Sequence, residues 1–237
     1  MLFGITPIKT IATYGATAER LRQEITLGLI APNTKLMAER KFAEELGVAR
    51  ITLREALKML EAEGYLEIRR GASGGAIIAP ESKLKLLAHE HLSKSHASCF
   101  RALEYWRINQ IACARLAAAR RTPADLKRLQ TTLATLESFT ADHERRQGES
   151  ELFLSVAAAA SNTWLMTSVH DSLAASFLPF IDPPSHAELL PTEMIHELII
   201  AIRNNDHEVA ERQMNLITTL YADRYKSALT ARKAEIA

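Results

Sequence analysis

The chain of 237 residues, with 47% hydrophobic content, is long enough to form two domains with separate cores. Its formal net charge of +1 excludes a uniformly basic surface for nucleic acid, so any DNA binding must come from local clusters of basic residues. The only cysteines are Cys99 and Cys113, which excludes a disulfide framework and is typical of a reducing cytoplasm.

Residues 1–14 predict a mildly apolar N-terminal arm. They lack the pattern of a secretory signal, and the chain has no apolar run of about 18 residues, so we expect a cytoplasmic protein without a membrane span. Thr17 is then placed to cap a helix over residues 18–29. The apolar face of this helix carries Leu21, Ile25 and Leu29.

Residues 39–62 have the pattern of two short helices joined by a tight turn. The turn is placed at Gly47, since glycine tolerates the left-handed backbone that ends a helix. Leucines recur at four- and three-residue spacing along the second helix, and Gly64 follows it at the position of a C-terminal cap. The apolar residues that define the two helices are Phe42, Leu46, Val48, Leu53, Leu57 and Leu60.

The start of the second helix presents Arg50, Thr52 and Arg54 away from its apolar stripe. An arginine guanidinium can donate two hydrogen bonds to guanine O6 and N7 or bind a phosphate, and threonine can contact a phosphate oxygen or a thymine methyl group. A solvated basic face on an ordinary helical hairpin would explain each residue alone. The combination of the turn, the basic helix start and the segment that follows favours DNA binding.

A small β-hairpin is predicted after the second helix. Residues 65–69 and 76–78 are strand-like, and Gly71, Gly74 and Gly75 lie at the tip, where small residues allow close approach to a phosphate backbone. Two helices around a turn followed by such a hairpin are the elements of a winged helix-turn-helix, which places one helix in the major groove of DNA.

Residues 15–79 resemble the winged-helix domain of GntR-type bacterial transcription regulators. The segments that carry the resemblance are AERKFAEELGVARITLREALKMLEAEGYL and RRGASGGAII. The resemblance implies a short strand at Lys35 and Leu36 that adds to the wing. We expect Arg50 and Arg54 to contact base edges, because they lie where a recognition helix meets the groove. The residues expected to contact phosphate are Arg40, Thr52, Arg70 and Gly74.

We assign residues 15–80 to this DNA-binding domain and residues 81–97 to a polar, partly helical linker that follows a stop signal at Pro80. Two short runs in the linker contain histidines, HEH at 89–91 and KSH at 94–96. They have no carboxylate or thiolate at metal-ligand spacing, so a solvated linker is favoured over a metal site.

From residue 98 to the end, helical segments follow one another without convincing strand alternation. Helix starts are marked by Thr122-Pro123 and by Asp206, and a break by Ser161-Asn162. The chain is therefore predicted to be mainly α, with residues 98–237 forming an all-helical bundle around a central pocket. The predicted helices span residues 98–120, 123–139, 142–161, 162–180, 191–204 and 206–231.

This half of the chain resembles the FCD effector domain of the FadR-like branch of the GntR family. The resemblance is carried by three segments, which follow the winged helix in the family's order: RINQIACARLAAARRTPADLKRL, FLSVAAAASNTWL and IHELIIAIRNNDHEVAERQM. It implies that residues 98–237 bind a small-molecule effector and contribute to dimerisation.

Many FCD domains hold a divalent metal with an aspartate, a histidine four residues later and two further histidines. The resemblance assigns these places to Glu149, Phe153, His196 and Ile217. One carboxylate and one imidazole that face two apolar side chains make a poor site for zinc or a similar ion. We therefore expect no metal cofactor, with a divalent ion at Glu149 and His196 as the less favoured alternative.

The first effector helix also departs from the family, which usually has an arginine that binds a ligand carboxylate two residues after a glutamate. Here Trp106 takes that place after Glu104, and Arg107 follows it. We expect a cavity walled by Trp106 and Phe153 that accepts a partly apolar or aromatic effector. The alternative is that these rings fill the core. The residues assigned to the effector site are Trp106, Arg107, Glu149, Phe153, His170, His196 and Ile217.

The sequence thus predicts a ligand-responsive transcription repressor that binds a pseudo-palindromic operator in double-stranded DNA as a homodimer. A small molecule in the helical domain would change the population of dimer geometries that fit both half-sites. Two alternatives stay open: a DNA-binding dimer with a filled pocket, and a metal-dependent sensor of a small organic acid. An enzyme is not expected, because no nucleophile-elbow, metalloprotease, phosphate-loop or dinucleotide motif is present.

Overall fold

The computed structural model describes residues 13–71, 74–176, 180 and 191–236. The chain divides into two compact units, which are described separately below. The first contains the residues before Gln23 together with Asn33–Ala79, and the second contains Gln23–Pro32 and the residues from Pro80 onwards. Each unit buries apolar side chains of its own.

The first unit contains the predicted winged helix-turn-helix. Its helices are α1 (Thr13–Thr26, whose last residues belong to the second unit), α2 (Glu39–Leu46) and α3 (Arg50–Ala62). Its two strands, β1 (Leu66–Arg69) and β2 (Gly75–Ile78), pair in antiparallel fashion to form the wing. The order of elements confirms the fold expected for this part of the chain.

Glycines end both helices of the motif, as the sequence predicts. Gly47 has a φ of +65° and donates its N–H to the carbonyl of Glu44 at 3.2 Å. Gly64 has a φ of +86° and donates to the carbonyl of Glu61 at 3.0 Å. A side chain at either position would be strained, because the left-handed backbone brings Cβ close to a carbonyl oxygen. The face of α3 that these turns direct inwards is formed by Leu53, Ala56, Leu57 and Leu60.

The short strand expected at Lys35 and Leu36 is present as a minimal addition to the wing. Lys35 forms a single antiparallel bridge with Ile77, and the N–H of Leu36 donates to the carbonyl of Ala76 at 2.8 Å. The segment before α2 is thereby fixed to the edge of β2.

The predicted start of α1 is wrong. The helix is already formed at Thr13, and Thr17 lies inside it, where its hydroxyl donates to the carbonyl of Thr13 at 2.9 Å. A threonine in the middle of a helix can bond back to the carbonyl four residues earlier, so its presence does not require a cap. The helix also ends earlier than predicted, at Thr26, and Leu29 lies beyond it.

The second unit is an all-helical bundle, as predicted. Its helices are α4 (Glu81–Arg120), α5 (Pro123–Ser138), α6 (Asp142–Ala159), α7 (Thr163–Ser176), α8 (Thr192–Arg203) and α9 (His207–Ile236). Residues 81–97, which we interpreted as a partly helical linker, form the first part of α4. Their helix is interrupted at Ser95, whose φ and ψ are −125° and 25°. The predicted extension of α7 to residue 180 includes residues 177–179, which lie outside the described residues.

The start signals at Thr122-Pro123 and Asp206 and the break at Asn162 are confirmed by their hydrogen bonds. Thr122 and Asp125 form a reciprocal capping box at the start of α5, and Pro123 occupies its first turn. Asp206 accepts a hydrogen bond from the N–H of Val209 at 3.0 Å, and Asn162 accepts one from the N–H of Trp164 at 3.1 Å. These polar side chains satisfy N–H groups that a helix leaves without a partner in its first turn.

The core of the second unit lies where α4 packs against α6, α7 and α9. Its buried apolar side chains include Trp106 on α4, Phe153 on α6, and Ile217 and Tyr221 on α9. Among the described residues, no helix combines the length and the apolar character that a membrane crossing requires.

Candidate DNA-binding surface and effector region

The exposed face of α3 carries the two arginines that the sequence identified. Arg50 and Arg54 are one helical turn apart, and their side chains are 61% and 48% exposed. Ile51 between them is 72% exposed, while Thr52 is half-buried. Because Leu53 and the other leucines anchor the opposite face, the arginine side of the helix is directed towards solvent.

A contact that the sequence analysis missed joins both arginines to Glu39, the first residue of α2. The Oε2 atom of Glu39 accepts hydrogen bonds from Nε of Arg50 at 3.3 Å and from Nε and Nη2 of Arg54 at 3.2 and 2.7 Å. The Arg54 hydrogen bond is the largest influence that lowers the pKa of Glu39 below its ordinary value. Glu39 is therefore an anion at the neutral pH at which the arginines would bind DNA.

The other residues assigned to DNA contacts lie at the surface of the first unit or in its wing. Arg40 and Arg70 are exposed, which suits contact with phosphate. Gly74 donates its N–H to the carbonyl of Gly71 at 3.0 Å, and a Cβ at this position would lie 2.2 Å from the carbonyl oxygen of Arg69. The wing turn therefore requires glycine there for its own geometry, whatever it contacts.

Trp106 and Phe153 pack against each other at the place where the sequence predicted a cavity between them. The two rings meet edge-to-face with centroids 4.8 Å apart, and Tyr221 packs edge-to-face on Phe153 at 5.0 Å. Trp106, Phe153 and Ile217 are all at most 1% exposed. In this structure they act as core residues, which is the alternative that the sequence left open.

Glu149 lies in the same core and is paired with two arginines. Its Oε1 atom accepts a hydrogen bond from Nη1 of Arg145 at 3.0 Å, one turn earlier on α6, and lies 3.6 Å from Nη1 of Arg224 on α9. Tyr221 is beside this group, and burial together with the Glu149 carboxylate raises its pKa well above the ordinary value. The sequence pattern indicates Glu149 but neither of its arginine partners.

His196 lies outside the core, and its assignment to the effector site stays a prediction. The buried face of α8 is formed by Ile195, Leu198, Ile199 and Ile202, and His196 lies outside this stripe and is exposed. A step of one residue turns a side chain by about 100° around a helix, which takes it away from the core. His170 is buried. Its Nε2 atom lies 3.5 Å from Oε1 of Glu24, and its Nδ1 atom lies 3.2 Å from Oδ1 of Asp171.

The residues at the family's metal-binding places do not fit a divalent ion. The Glu149 carboxylate is already paired with two guanidinium groups. Phe153 and Ile217 have no lone pair to donate to a metal, and His196 is exposed on α8. Within the described ranges, no group of three histidine, cysteine, aspartate or glutamate side chains could hold a metal ion.

Arg107 points to a different part of the second unit. Its Nη2 atom donates to Oδ1 of Asn215 and to Oγ1 of Thr219, both at 2.9 Å, and so ties α4 to α9. The same side chain borders an open pocket of about 310 Å³. The other lining residues are Phe100, Arg101, Leu103, Glu104, Ala222 and Lys226.

Comparison with known proteins agrees with both halves of this description. Residues 13–74 match the family described as bacterial regulatory proteins, gntR family, and residues 110–218 match the FCD domain. The Uxu operon regulator of Haemophilus influenzae is 26% identical over 94% of this chain and 77% of its own length. The Exu regulon transcriptional regulator of Escherichia coli K12 is 30% identical over 64% of this chain and 58% of its own.

The fold has also been observed in a solved structure. A GntR-family transcriptional regulator from Pseudomonas syringae pv. tomato DC3000 matches 95% of this chain and 89% of its own length with a TM-score of 0.52 and 22% identity. The winged helix-turn-helix with its arginine-bearing α3, the helical second unit and the two domain matches lead to one assignment. The chain belongs to the GntR family of DNA-binding transcription regulators and carries the FCD domain that is typical of the family's FadR-like branch.

Proposed function

We propose that the chain is a transcription repressor that binds double-stranded operator DNA as a homodimer through α3 and the wing of each subunit. The observation that carries the proposal is the exposed pair Arg50 and Arg54 on a helix whose opposite face is buried. Two such helices would enter successive major grooves of a pseudo-palindromic operator. A protein of this kind works in the cytoplasm, by binding rather than by catalysis.

Within this proposal, Arg50 and Arg54 contact base edges and the surrounding residues contact phosphate. The exposure of Arg40 and Arg70 supports their role, since an exposed guanidinium can bind a phosphate without breaking core contacts. Thr52 would reach the backbone from α3, and Gly74 would bring the wing turn close to it.

We also propose that the second unit binds a small, partly apolar effector without a metal. The pocket beside Arg107 supports this, because it combines apolar Leu103 with cations that can bind a negatively charged group. Such a ligand would act by binding one dimer geometry more tightly than another.

A second candidate is a DNA-binding dimer that has no effector. The packing of Trp106, Phe153 and Tyr221 favours it, because these rings occupy the place expected for a ligand cavity. The two candidates differ in whether a small molecule changes the thermal stability of the chain. An effector that binds the folded chain raises its thermal stability by mass action.

Replacing Arg54 with alanine tests the proposed DNA contacts. The duplex that the wild-type chain selects from a randomised library serves as the operator, and fluorescence anisotropy measures binding to it and to random duplex. We expect affinity for the operator to fall by about tenfold or more, and affinity for random duplex to fall less, because a base contact is lost. Arg128→Ala, at an exposed arginine on α5, is the matched control. Equal losses on both duplexes would mean that Arg54 contacts only backbone.

Sedimentation equilibrium tests the proposed dimer. A single winged helix contacts too little DNA for regulatory affinity, so we expect a species of twice the 26.3 kDa chain mass at micromolar concentration. A monomer across this range, with and without operator, would contradict the proposal.

A further inference from the structure

We propose that Glu39 is a positioning residue for DNA recognition, which holds Arg50 and Arg54 with their terminal nitrogens directed towards base edges and so sets the specificity of the recognition helix. The inference rests on the proposed role of α3. It adds a residue on a neighbouring helix that the proposed DNA contacts do not include.

The geometry of the contacts between Glu39 and the two arginines supports this role. Glu39 accepts from the Nε atom of each arginine, and all three hydrogen bonds end on one oxygen, Oε2. In a guanidinium, Nε lies on the side of the group and the two Nη atoms lie at its end. Holding Arg50 by Nε therefore leaves Nη1 and Nη2 together at the free end, which is the fork that matches guanine O6 and N7. Arg54 donates Nε and one N–H of Nη2 to Glu39, which leaves Nη1 and the second N–H of Nη2 at its free end for the same purpose.

The charge balance at the start of α3 also supports this role. Arg50 and Arg54 are four residues apart on one face, and like charges at that spacing repel each other. One carboxylate within 3.3 Å of both guanidiniums reduces this repulsion and lets the two side chains lie next to each other. Within the described residues, Glu39 is the only carboxylate hydrogen-bonded to either arginine. Glu55 on α3 is hydrogen-bonded to Lys58 instead.

Phosphate groups compete with base edges for the same arginines. A mobile arginine at the protein surface can bind any phosphate oxygen, which adds affinity for every sequence. Glu39 satisfies the Nε edges and is itself an anion, so it opposes close approach of a phosphate to the same place. Base edges carry no net charge, so Glu39 repels them less than it repels a phosphate. Glu39 should therefore reduce binding to random DNA more than binding to the operator.

Glu39→Gln is the direct test, because the amide keeps the size of the side chain and removes its charge. We expect affinity for the selected operator to fall and affinity for random duplex to hold or rise, so that the ratio of the two falls by about tenfold. The dependence of operator binding on salt should become steeper by about 0.9 in log–log slope for each arginine that moves from a base to a phosphate. Glu45→Gln is the matched control, since Glu45 is also on α2 and pairs only weakly with Lys41 at 3.9 Å.

Glu39→Asp separates position from charge. It keeps the anion at the start of α2 but withdraws the carboxylate by one methylene group, so we expect the specificity ratio to fall here as well. Thermal unfolding of each variant shows whether the first unit remains folded, and the aspartate variant keeps the test valid if the glutamine variant does not fold.

Two results would overturn the inference. Equal losses of affinity for operator and random duplex, with an unchanged salt slope, would show that Glu39 only stabilises the start of α2 as an acidic residue at a helix N-terminus. Equal gains on both duplexes would show that it acts only through its charge. A wild-type chain that selects no sequence would instead contradict the proposed function itself, so the two failures can be distinguished.

Discussion

Replacing Trp106 with alanine is expected to lower the free energy of unfolding by about 3–5 kcal/mol, the usual range for removing a large aromatic side chain from a core. Trp106 has no exposed surface. The centroid of its ring lies 4.8 Å from that of Phe153 and 6.1 Å from that of Tyr221. These side chains come from α4, α6 and α9. The substitution therefore leaves a space that three helices would have to move to fill.

Urea unfolding followed by circular dichroism measures the loss. Trp164→Ala is the matched control, because Trp164 is 83% exposed at the start of α7 and its removal leaves no internal cavity. Its effect should stay within about 0.5 kcal/mol. A loss at Trp106 no larger than the loss at Trp164 would show that the aromatic cluster is not packed in solution.

Replacing Glu149 with glutamine is expected to destabilise the chain by about 3–5 kcal/mol, because it removes one partner of a buried ion pair and leaves the other charge uncompensated. The Arg145 and Glu149 side chains are only 9% and 6% exposed, and Arg224 is 12% exposed. The carboxylate is the negative charge that both guanidiniums share. An amide of the same shape can accept a hydrogen bond but cannot neutralise either cation.

The same urea experiment measures this effect, with Glu137→Gln on the exposed side of α5 as the control for loss of one carboxylate. A Glu149→Gln variant as stable as the control would mean that the charged cluster is open to water. It would also return Glu149 to the set of residues available to a ligand.

The local signals in the sequence predicted most of the fold. Helix starts at Thr122 and Asp206 were found because the capping side chain lies within three residues of the N–H group that it satisfies. The turns at Gly47 and Gly64 were found because only a residue without Cβ takes a left-handed backbone without strain. Thr17 was misassigned by the same reasoning, because a threonine hydroxyl can satisfy a helix carbonyl as well as cap a start.

The exposed position of His196 could be predicted from its own segment. Ile195, Leu198, Ile199 and Ile202 repeat at the spacing of one helix face, and His196 falls outside that repeat. The resemblance to the family's metal-binding histidine instead assigned His196 to the effector site inside the bundle. Where periodicity and resemblance disagree about which way a side chain points, the periodicity carries the physical constraint.

Most of the charged contacts in the two units could not be predicted, because their partners lie on different helices. Glu39 meets Arg50 and Arg54 only after the turn at Gly47 brings α2 and α3 together. Arg224 reaches Glu149 only because α9 packs on α6 side chains in the core. Of these pairs, only Arg145 and Glu149 had a local signal, since four residues separate opposite charges on one helix.

The central claim is that α3 and the wing of two subunits bind a specific operator. Selection from a randomised duplex library with the full chain tests it most directly. We predict enrichment of an inverted repeat whose half-site centres lie about 10 base pairs or a multiple of that distance apart, and no enrichment by the Arg50→Ala/Arg54→Ala double variant. Failure of the wild-type chain to enrich any sequence, or enrichment of the same repeat by the double variant, would contradict the claim.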